Sequence, residues 1–227
     1  MRRLAFILVA VLTTALTGLS QVHYDGTIAV GGKAGASLSR VNFNPTVRQE
    51  MLPGMTAGLA FRYIEENHFG LIAELNLTQR GWKEAFDESE YSYSHRLTYL
   101  ELPIMTHIFF GNRRVKGFFN LGPELNVMLG DGISSNFDYR NAASMDYFLQ
   151  NSRHIEQLTM DVKNKFDYGI CAGAGMELNL NAKHSLLLEG RFYYGLTDVF
   201  PNHKTDVFSS TNSMSITATI GYFYRLK

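Results

Sequence analysis

The feature that most constrains the fold of this chain is an alternation of apolar and polar side chains over eight long segments. These segments span residues 27–38, 54–64, 68–80, 96–109, 118–129, 166–180, 184–196 and 213–226. A period of two residues is that of a β-strand, whose successive side chains point to opposite faces. Strands in soluble sheets have about 5 to 6 residues, whereas a tilted strand that crosses a bilayer needs about 9 to 11. The segments therefore have the length of membrane-spanning strands.

The connections between these segments alternate between long and short. Short connections lie at residues 65–67, 111–117 and 181–183, and long ones at 40–53, 81–95, 131–165 and 196–212. Outer-membrane barrels have this asymmetry, with short turns in the periplasm and long loops outside the cell. The pattern predicts an all-β fold, an eight-stranded antiparallel up-and-down transmembrane β-barrel with short periplasmic turns and long extracellular loops.

The N-terminal segment has the pattern of a secretory signal peptide. Arg2 and Arg3 precede the apolar run of residues 4–16, which small and polar residues follow up to Ser20. This run is too short to cross a bilayer core as a helix, which takes about 20 residues. We expect a signal peptide at residues 1–20 and one barrel domain at residues 21–227, which is secreted to the periplasm and then inserted into the outer membrane.

Composition excludes several classes of function. The chain has 21 Lys and Arg against 21 Asp and Glu, so it has no excess of positive charge with which to neutralise nucleic acid phosphates. Its single cysteine, Cys171, excludes an intramolecular disulfide. We therefore expect no nucleic acid partner. The sequence has no metal-finger spacing, and His203 and Asp206 make no complete set of ligands, so we expect no cofactor and no metal.

Aromatic residues cluster near the expected ends of the strands, as they do where barrels meet the two membrane interfaces. The expected outer girdle contains Trp82, Tyr168 and Tyr194. The expected periplasmic girdle contains Phe61, Tyr63, Phe69, Phe109, Phe110, Phe118, Phe119, Tyr222 and Tyr224. A soluble lipocalin-like barrel, with its apolar face inside, is the competing architecture. Strand length, boundary rings and loop asymmetry favour the membrane barrel.

If the apolar faces meet lipid, a set of charged side chains points into the lumen. These are Lys33, Arg62, Glu74, Arg80, Glu101, Glu124, Asp167, Glu177, Glu189, Arg191 and Arg225. Eight strands leave an interior just wide enough for side chains to fill. Opposite charges inside it must pair, because a charge without a partner is costly to bury. We interpret the set as a structural charge network, which disfavours a general pore.

Two prolines, Pro103 and Pro123, lie within predicted strands and cannot donate to a β-ladder. Closing the hairpin near residues 113 and 114 brings them to neighbouring positions, so we expect a bulge or a break in the ladder there. The same register places Glu101 and Glu124, both inward, opposite or diagonal to one another. An arginine is expected near this pair of carboxylates.

Four stretches resemble one family of barrels. They are GGKAGASLS at residues 31–39, GLIAELNLTQRGW at 70–82, LTYLELPIM at 97–105 and NLGPELNVMLG at 120–130. In order and spacing they resemble the PorT-type outer-membrane β-barrel proteins over nearly all of the mature chain. The resemblance implies a small outer-membrane barrel of a Gram-negative bacterium. It also implies an architectural role for the matching residues Glu74, Tyr99, Glu101, Pro103, Gly122, Pro123 and Glu124.

A filled barrel leaves its outward loops as the expected functional surface. In the longest loop the sequence MDYFLQNSRHIEQL has apolar residues at helical spacing, which predicts a short amphipathic helix that caps the barrel, lies on lipid or meets a partner. This candidate partner-binding loop contains Met145, Phe148, Leu149, Ile155 and Leu158. Expected partners are outer-membrane lipid, the barrel-assembly machinery and secretion-system or other envelope proteins.

Some barrels of this kind are enzymes that modify lipid or peptide at the outer rim. The available rim groups are His95, Asp198, His203, Asp206 and Ser209. Nothing in their spacing places a base within hydrogen-bond reach of a nucleophile. We expect a non-catalytic protein that acts in binding or envelope assembly through its loops. The alternatives are an accessory role in PorT-like protein secretion, which the resemblance implies, and a rim-catalysed enzyme.

Overall fold

A computed structural model describes residues 26–65, 68–87, 89–151, 154–200 and 207–226, with no side-chain detail at residues 150 and 151. The expected signal peptide lies outside the described residues. The strands are β1 (Thr27–Asn44), β2 (Gln49–Glu50), β3 (Leu52–Ile64), β4 (Phe69–Glu84), β5 (Tyr93–Gly111), β6 (Val115–Ser135), β7 (Phe166–Asn179), β8 (His184–Asp198) and β9 (Ser210–Arg225).

The eight long strands form a closed antiparallel ring. Each pairs with the next long strand along the chain, and β1 pairs with β9 to close the barrel. The two-residue β2 pairs with the outer end of β4. The predicted all-β, eight-stranded up-and-down barrel is therefore confirmed. Closure leaves no long strand with an unpaired edge, which is how a sheet satisfies its backbone groups within lipid.

The two ends of the ring differ, as the connection lengths predict. Residues 112–114 and 180–183 make short turns at one end, which we call the short-turn end, and Ile64 of β3 pairs with Gly70 of β4 there. At the other, the long-loop end, residues 136–165 include a 3-10 helix at Tyr139–Ser144 and α-helices at Asp146–Asn151 and Glu156–Thr159. The single helix expected across residues 145–158 is thus divided into short pieces. No helix among the described residues is long and apolar enough to span a membrane.

The apolar faces of the strands point outward. On β4, the outward side chains Leu75 and Leu77 are 48% and 49% exposed, whereas the inward Glu74 and Asn76 are 3% and 2% exposed. The same division holds around the ring and produces an outward apolar belt. This orientation overturns the lipocalin-like alternative, whose apolar face would be inside.

The strands continue outward beyond the predicted segments, and the alternation inverts there. On β1, the outward series changes from Leu38 to Arg40 and Asn42, while the inward Val41 and Phe43 are buried. A search of the sequence for apolar residues on the outward face therefore ends the strand at this change. This is why β1, β5 and β6 extend farther toward the long-loop end than predicted.

The ladder is interrupted beside the two prolines, as expected. The β5–β6 pairs run from Pro103–Glu124 to Thr106–Leu121 with no pair between them. The β4–β5 ladder also lacks pairs between Ala73–Ile104 and Asn76–Glu101. The bulge itself lies farther along, between Thr98 and Tyr99. The missing donor of proline therefore opens the ladder without shifting its register.

Candidate functional site

The centre of the lumen holds a network of buried ion pairs from β1, β4 and β8. Arg191 makes two hydrogen bonds to Glu74, Nη1 to Oε2 at 2.7 Å and Nη2 to Oε1 at 2.8 Å. It also contacts Glu189 at 2.9 Å. Lys33 Nζ lies 2.5 Å from Glu74 Oε2 and 3.5 Å from Glu189 Oε2. The two cations and two carboxylates therefore neutralise one another.

A second pair lies closer to the short-turn end. Arg62 binds Glu177 through two hydrogen bonds of 3.0 and 2.7 Å, and both side chains are 2% exposed. The Arg62 guanidinium also lies 4.8 Å from the centre of the Phe223 ring. The two hydrogen bonds pair the guanidinium directly with the carboxylate.

Toward the long-loop end, Arg80 is held between two rings and two carboxylates. Its guanidinium lies 4.4 Å from the ring centres of both Tyr99 and Tyr193. Its nearest carboxylates are Glu101 at 3.2 Å and Asp167 at 3.8 Å. Arg80 is thus the arginine expected beside the pair of glutamates.

Glu124 and Arg225 occupy the remaining predicted positions. Glu124 is 2% exposed and pairs with Pro103, two residues from Glu101, so the two glutamates are diagonal neighbours. Arg225 does not join the network and is a correction to the prediction. It is the last residue of β9, at the short-turn end, where Nη1 donates to Ala182 O at 3.1 Å instead of to a described carboxylate.

Large side chains fill the space that glycines leave in the barrel wall. A Cβ at Gly169 would lie 2.7 Å from the Tyr193 ring, and one at Gly175 would lie 2.5 Å from the Phe118 ring. A lumen cavity bordered by Lys33 and Glu101 has a volume of about 10 Å³, which is room for about one water molecule. The lumen is therefore packed rather than open.

The long-loop end carries an apolar cap above the charged lumen. Trp82 is fully buried there, with its ring 5.8 Å from that of Phe43 and 5.6 Å from that of Phe200. Trp82 was predicted for the outer girdle, and that prediction is wrong, because β4 turns this side chain inward. The cap also contains Val41, Val47, Tyr93, Leu97, Tyr99, Met128, Ala142, Phe148, Leu158, Val199 and Phe208.

Hydrogen bonds fasten the longest loop to the barrel. Tyr93 Oη donates to Leu158 O at 2.9 Å, and Gln157 Nε2 donates to Glu84 Oε1 at 3.0 Å. These bonds join residues on β4 and β5 to the last short helix of the loop. They hold the loop across the mouth of the barrel.

Most of the candidate partner-binding residues close the barrel instead of facing outward. Phe148 and Leu158 are buried in the cap, and Met145 and Ile155 pack against it. Leu149 differs, with 64% of its surface exposed. Helical spacing found these residues but did not indicate which surface they would cover.

Comparison with known proteins identifies the family of this barrel. The model of the outer membrane protein beta-barrel domain family matches residues 19–201. The chain belongs to this family. Its location is therefore the outer membrane, and the outward apolar belt is its lipid-facing surface. No curated protein matches the sequence significantly.

The chain is also similar to solved structures of outer-membrane proteins, of which OprG, with a TM-score above 0.5, supports the fold. OprG from Pseudomonas aeruginosa is 12% identical with a TM-score of 0.53, over 90% of this chain and 97% of that one. Neisserial surface protein A is 12% identical with a TM-score of 0.45, over 86% and 95%. The attachment invasion locus protein Ail of Yersinia pestis is 14% identical with a TM-score of 0.41, over 86% and 98%. At these identities the likeness concerns fold alone.

His95, Asp198 and Ser209, three of the rim groups considered for catalysis, each have contacts of their own. His95 Nε2 lies 2.7 Å from Asp131 Oδ2, whereas Ser209 Oγ donates to Asn44 O at 3.2 Å. Asp198 accepts a hydrogen bond from the Thr211 amide. Within the described ranges, no hydrogen bond joins His95, Asp198 and Ser209 to one another. His203 and Asp206 lie outside the described residues.

His95 lies above the lipid-facing belt, where its outward neighbours on β5 are Ser94 and Arg96. Burial lowers the pKa of His95, although the hydrogen bond to Asp131 and the charges of Asp131 and Asp161 act in the opposite direction. The ring also packs against Trp82 at 4.5 Å. His95 is therefore a neutral part of the cap near neutral pH.

Cys171 is buried in the wall, and its Sγ donates to Gly122 O at 3.4 Å. Across the portion of the chain that the structure describes, there is no group of three or more His, Cys, Asp or Glu side chains placed to hold a metal ion.

Proposed function

We propose that this outer-membrane barrel is a non-catalytic protein that acts in binding or envelope assembly through its extracellular loops. The observation that carries the proposal is the closure of the lumen, by paired charges in the middle and by the apolar cap at the long-loop end. A protein that passes no solute through its barrel acts through its outer surfaces.

Opening the lumen would require the central ion pairs to separate. Arg191 binds both Glu74 and Glu189, so any path past it breaks several charged contacts at once. Leaving a buried charge without its partner costs about 3 to 5 kcal/mol. This argues against a constitutive diffusion channel.

The cap supports binding because it presents a set of packed rings on a rigid base. Phe86, Tyr91, Phe137 and Tyr147 are half-buried, with the Tyr91 and Phe137 ring centres 5.0 Å apart. The exposed Leu149 lies in the same loop. Aromatic side chains held in this way are typical of protein–protein interfaces. We call these four rings and Leu149 the tip. We infer that an envelope protein contacts the tip, while lipid covers the belt and the barrel-assembly machinery acts during insertion.

A role as an accessory of PorT-like protein secretion is the second candidate, and it rests on the resemblance of residues 97–105 and 120–130. In this chain Tyr99, Glu101, Pro103 and Glu124 pack in the lumen wall. Their contacts serve the fold of the barrel, so the secretion role depends on a partner rather than on these residues.

Conductance across a planar bilayer tests the closed lumen. The reconstituted barrel is expected to add no current steps above the lipid background, with an open porin as positive control. Regular steps of a water-filled pore would contradict the proposal.

Site-specific photo-crosslinking in intact cells tests binding at the tip. A crosslinker at position 149 is expected to capture a defined envelope protein, whereas one at Leu180, which is similarly exposed at the short-turn end, is not. Adducts with lipid alone, or the same protein adduct at both positions, would overturn the tip as a binding surface. Loss of protein export on deletion, restored by the wild-type gene, would favour the secretion role.

A further inference from the structure

Basic side chains from separate parts of the chain converge at the short-turn end. Arg113 and Arg114 lie in the turn between β5 and β6, Lys116 is the second residue of β6, and Arg225 ends β9. Together with residues 179–182 they line one pocket of about 490 Å³. No carboxylate is among the described residues that line it.

Among the described residues, none of these four cations forms an ion pair with a carboxylate. Glu177, which lies opposite Lys116 in the β6–β7 ladder, is bound by Arg62. The buried Nε of Arg225 has no hydrogen-bond partner among the described atoms. Concentrated positive charge of this kind raises the local concentration of anions. The pocket is therefore suited to a negatively charged ligand.

The backbone around the pocket is already fixed. Asn112 Oδ1 accepts from the amides of Arg114 at 2.9 Å and Val115 at 2.8 Å. Asn179 joins the two neighbouring turns by donating to Arg113 O at 2.9 Å. Because these side-chain to backbone bonds hold the turns, a ligand would meet a preformed pocket with little ordering cost.

The pocket lies at the edge of the lipid-facing belt. Leu180 lines it and is 55% exposed, and the nearby outward residues Phe110, Val115 and Leu178 are 63%, 37% and 45% exposed. An anionic group in the pocket therefore sits where the belt ends, with apolar surface directly beside it. A ligand with a phosphate at one end and acyl chains at the other satisfies both surfaces. A small soluble anion would leave the apolar side uncovered.

We propose that this pocket binds the phosphate of an anionic phospholipid in the periplasmic leaflet of the outer membrane. Guanidinium groups bind phosphate oxygens through paired, charge-assisted hydrogen bonds. The acyl chains lie along Phe110, Val115, Leu178 and Leu180. The proposal does not depend on the role of the cap, since it concerns the opposite end of the barrel.

Native mass spectrometry of the detergent-solubilised barrel, titrated with phosphatidylglycerol, tests the proposal. The double variant R113Q/R114Q is expected to bind this lipid at least about tenfold more weakly, because each lost charge-assisted contact is worth roughly that factor. The matched control is R48Q/R96Q, which removes two exposed arginines at the long-loop end. It is expected to bind like wild type. Heat-modifiable migration in gels verifies that each variant is folded.

Competition experiments identify the source of the phosphate. Phosphatidylcholine, which carries no net charge, and inorganic phosphate are both expected to compete poorly with phosphatidylglycerol. Unchanged lipid binding by R113Q/R114Q, or an equal loss in R48Q/R96Q, would overturn the site. Displacement of the lipid by inorganic phosphate at equal concentration would overturn a lipid as the ligand and assign the pocket to a free anion.

Discussion

In two regions of the molecule, the same strands place their apolar side chains on opposite faces. Within the lipid-facing belt, apolar side chains such as Leu75 point outward and charged ones such as Glu74 point inward. Above the belt, Arg40 points outward and Phe43 points inward. The β1–β9 ladder runs through both regions without interruption. A pair of strands can therefore change which side chains it buries while its backbone pairing continues.

The difference reflects the solvent outside each region. In lipid there is no hydrophobic gain from turning apolar side chains inward, so polar groups collect inside and must satisfy one another. In water the hydrophobic effect favours an apolar interior. The belt is consequently stabilised from within by ion pairs, and the cap by packed rings.

The largest expected effect on stability comes from breaking the buried Arg62–Glu177 pair. R62M leaves the Glu177 carboxylate without its cation and is expected to lower the free energy of unfolding by about 3 to 5 kcal/mol. Urea unfolding of the refolded barrel in lipid vesicles measures this. The double variant R62M/E177M, which removes both charges, is expected to recover most of the loss. A double variant as unstable as R62M would contradict the view that the lone charge causes the cost.

A cavity in the cap is expected to have the next largest effect, and a local one. F148A should weaken the cap by about 3 kcal/mol. Trp82 is the only tryptophan of the chain and lies in this cluster, so its fluorescence reports on the cap alone. Its red shift in F148A is expected at lower urea than the loss of β-sheet signal. The neighbouring L149A, at an exposed position, serves as the control, and coincident transitions in F148A would show that the two regions unfold as one.

Acid is expected to weaken the cap through His95. Because burial lowers the pKa of His95 in the folded protein, the unfolded cap binds a proton first, at about pH 6.5. Stability is therefore full above this pH and falls as the pH decreases below it toward the folded pKa. Trp82 fluorescence in urea, followed from pH 7.5 downward, measures the loss. H95Q is expected to flatten this dependence, and an unchanged slope in H95Q would assign it to other groups.

The smallest effect is expected for the ion pair between Arg48 and Asp87 on the outer loops. Their side chains are 72% and 62% exposed, so water and salt screen the attraction. R48A is expected to change stability by about 0 to 1 kcal/mol. Cap unfolding at low and high salt measures this. A loss of stability as large as that of R62M would show that burial does not explain the difference in strength between the two ion pairs.

The barrel was predictable from sequence because its signal is local. Alternation around residues such as Leu75 and Glu74 identified every long strand, and strand length, boundary rings and loop asymmetry favoured the outward orientation of the apolar face. The cap was not identified, because the alternation inverts above the belt and because Trp82 lies near the expected end of a strand, where girdle residues are found. Arg225 was misplaced for a related reason, since alternation gives the face of a side chain and not its depth.

The sequence by itself determined the number of long strands, their order and the faces that meet lipid, because each depends on residues close together in the chain. The tertiary structure decided which charges pair, since Arg191 and Glu74 come from strands on separate parts of the ring. It also decided that the longest loop closes the barrel, and that Arg113, Arg114 and Arg225 share one pocket. These are contacts between distant segments, and only the closure of the ring and the twist of its strands bring those segments together.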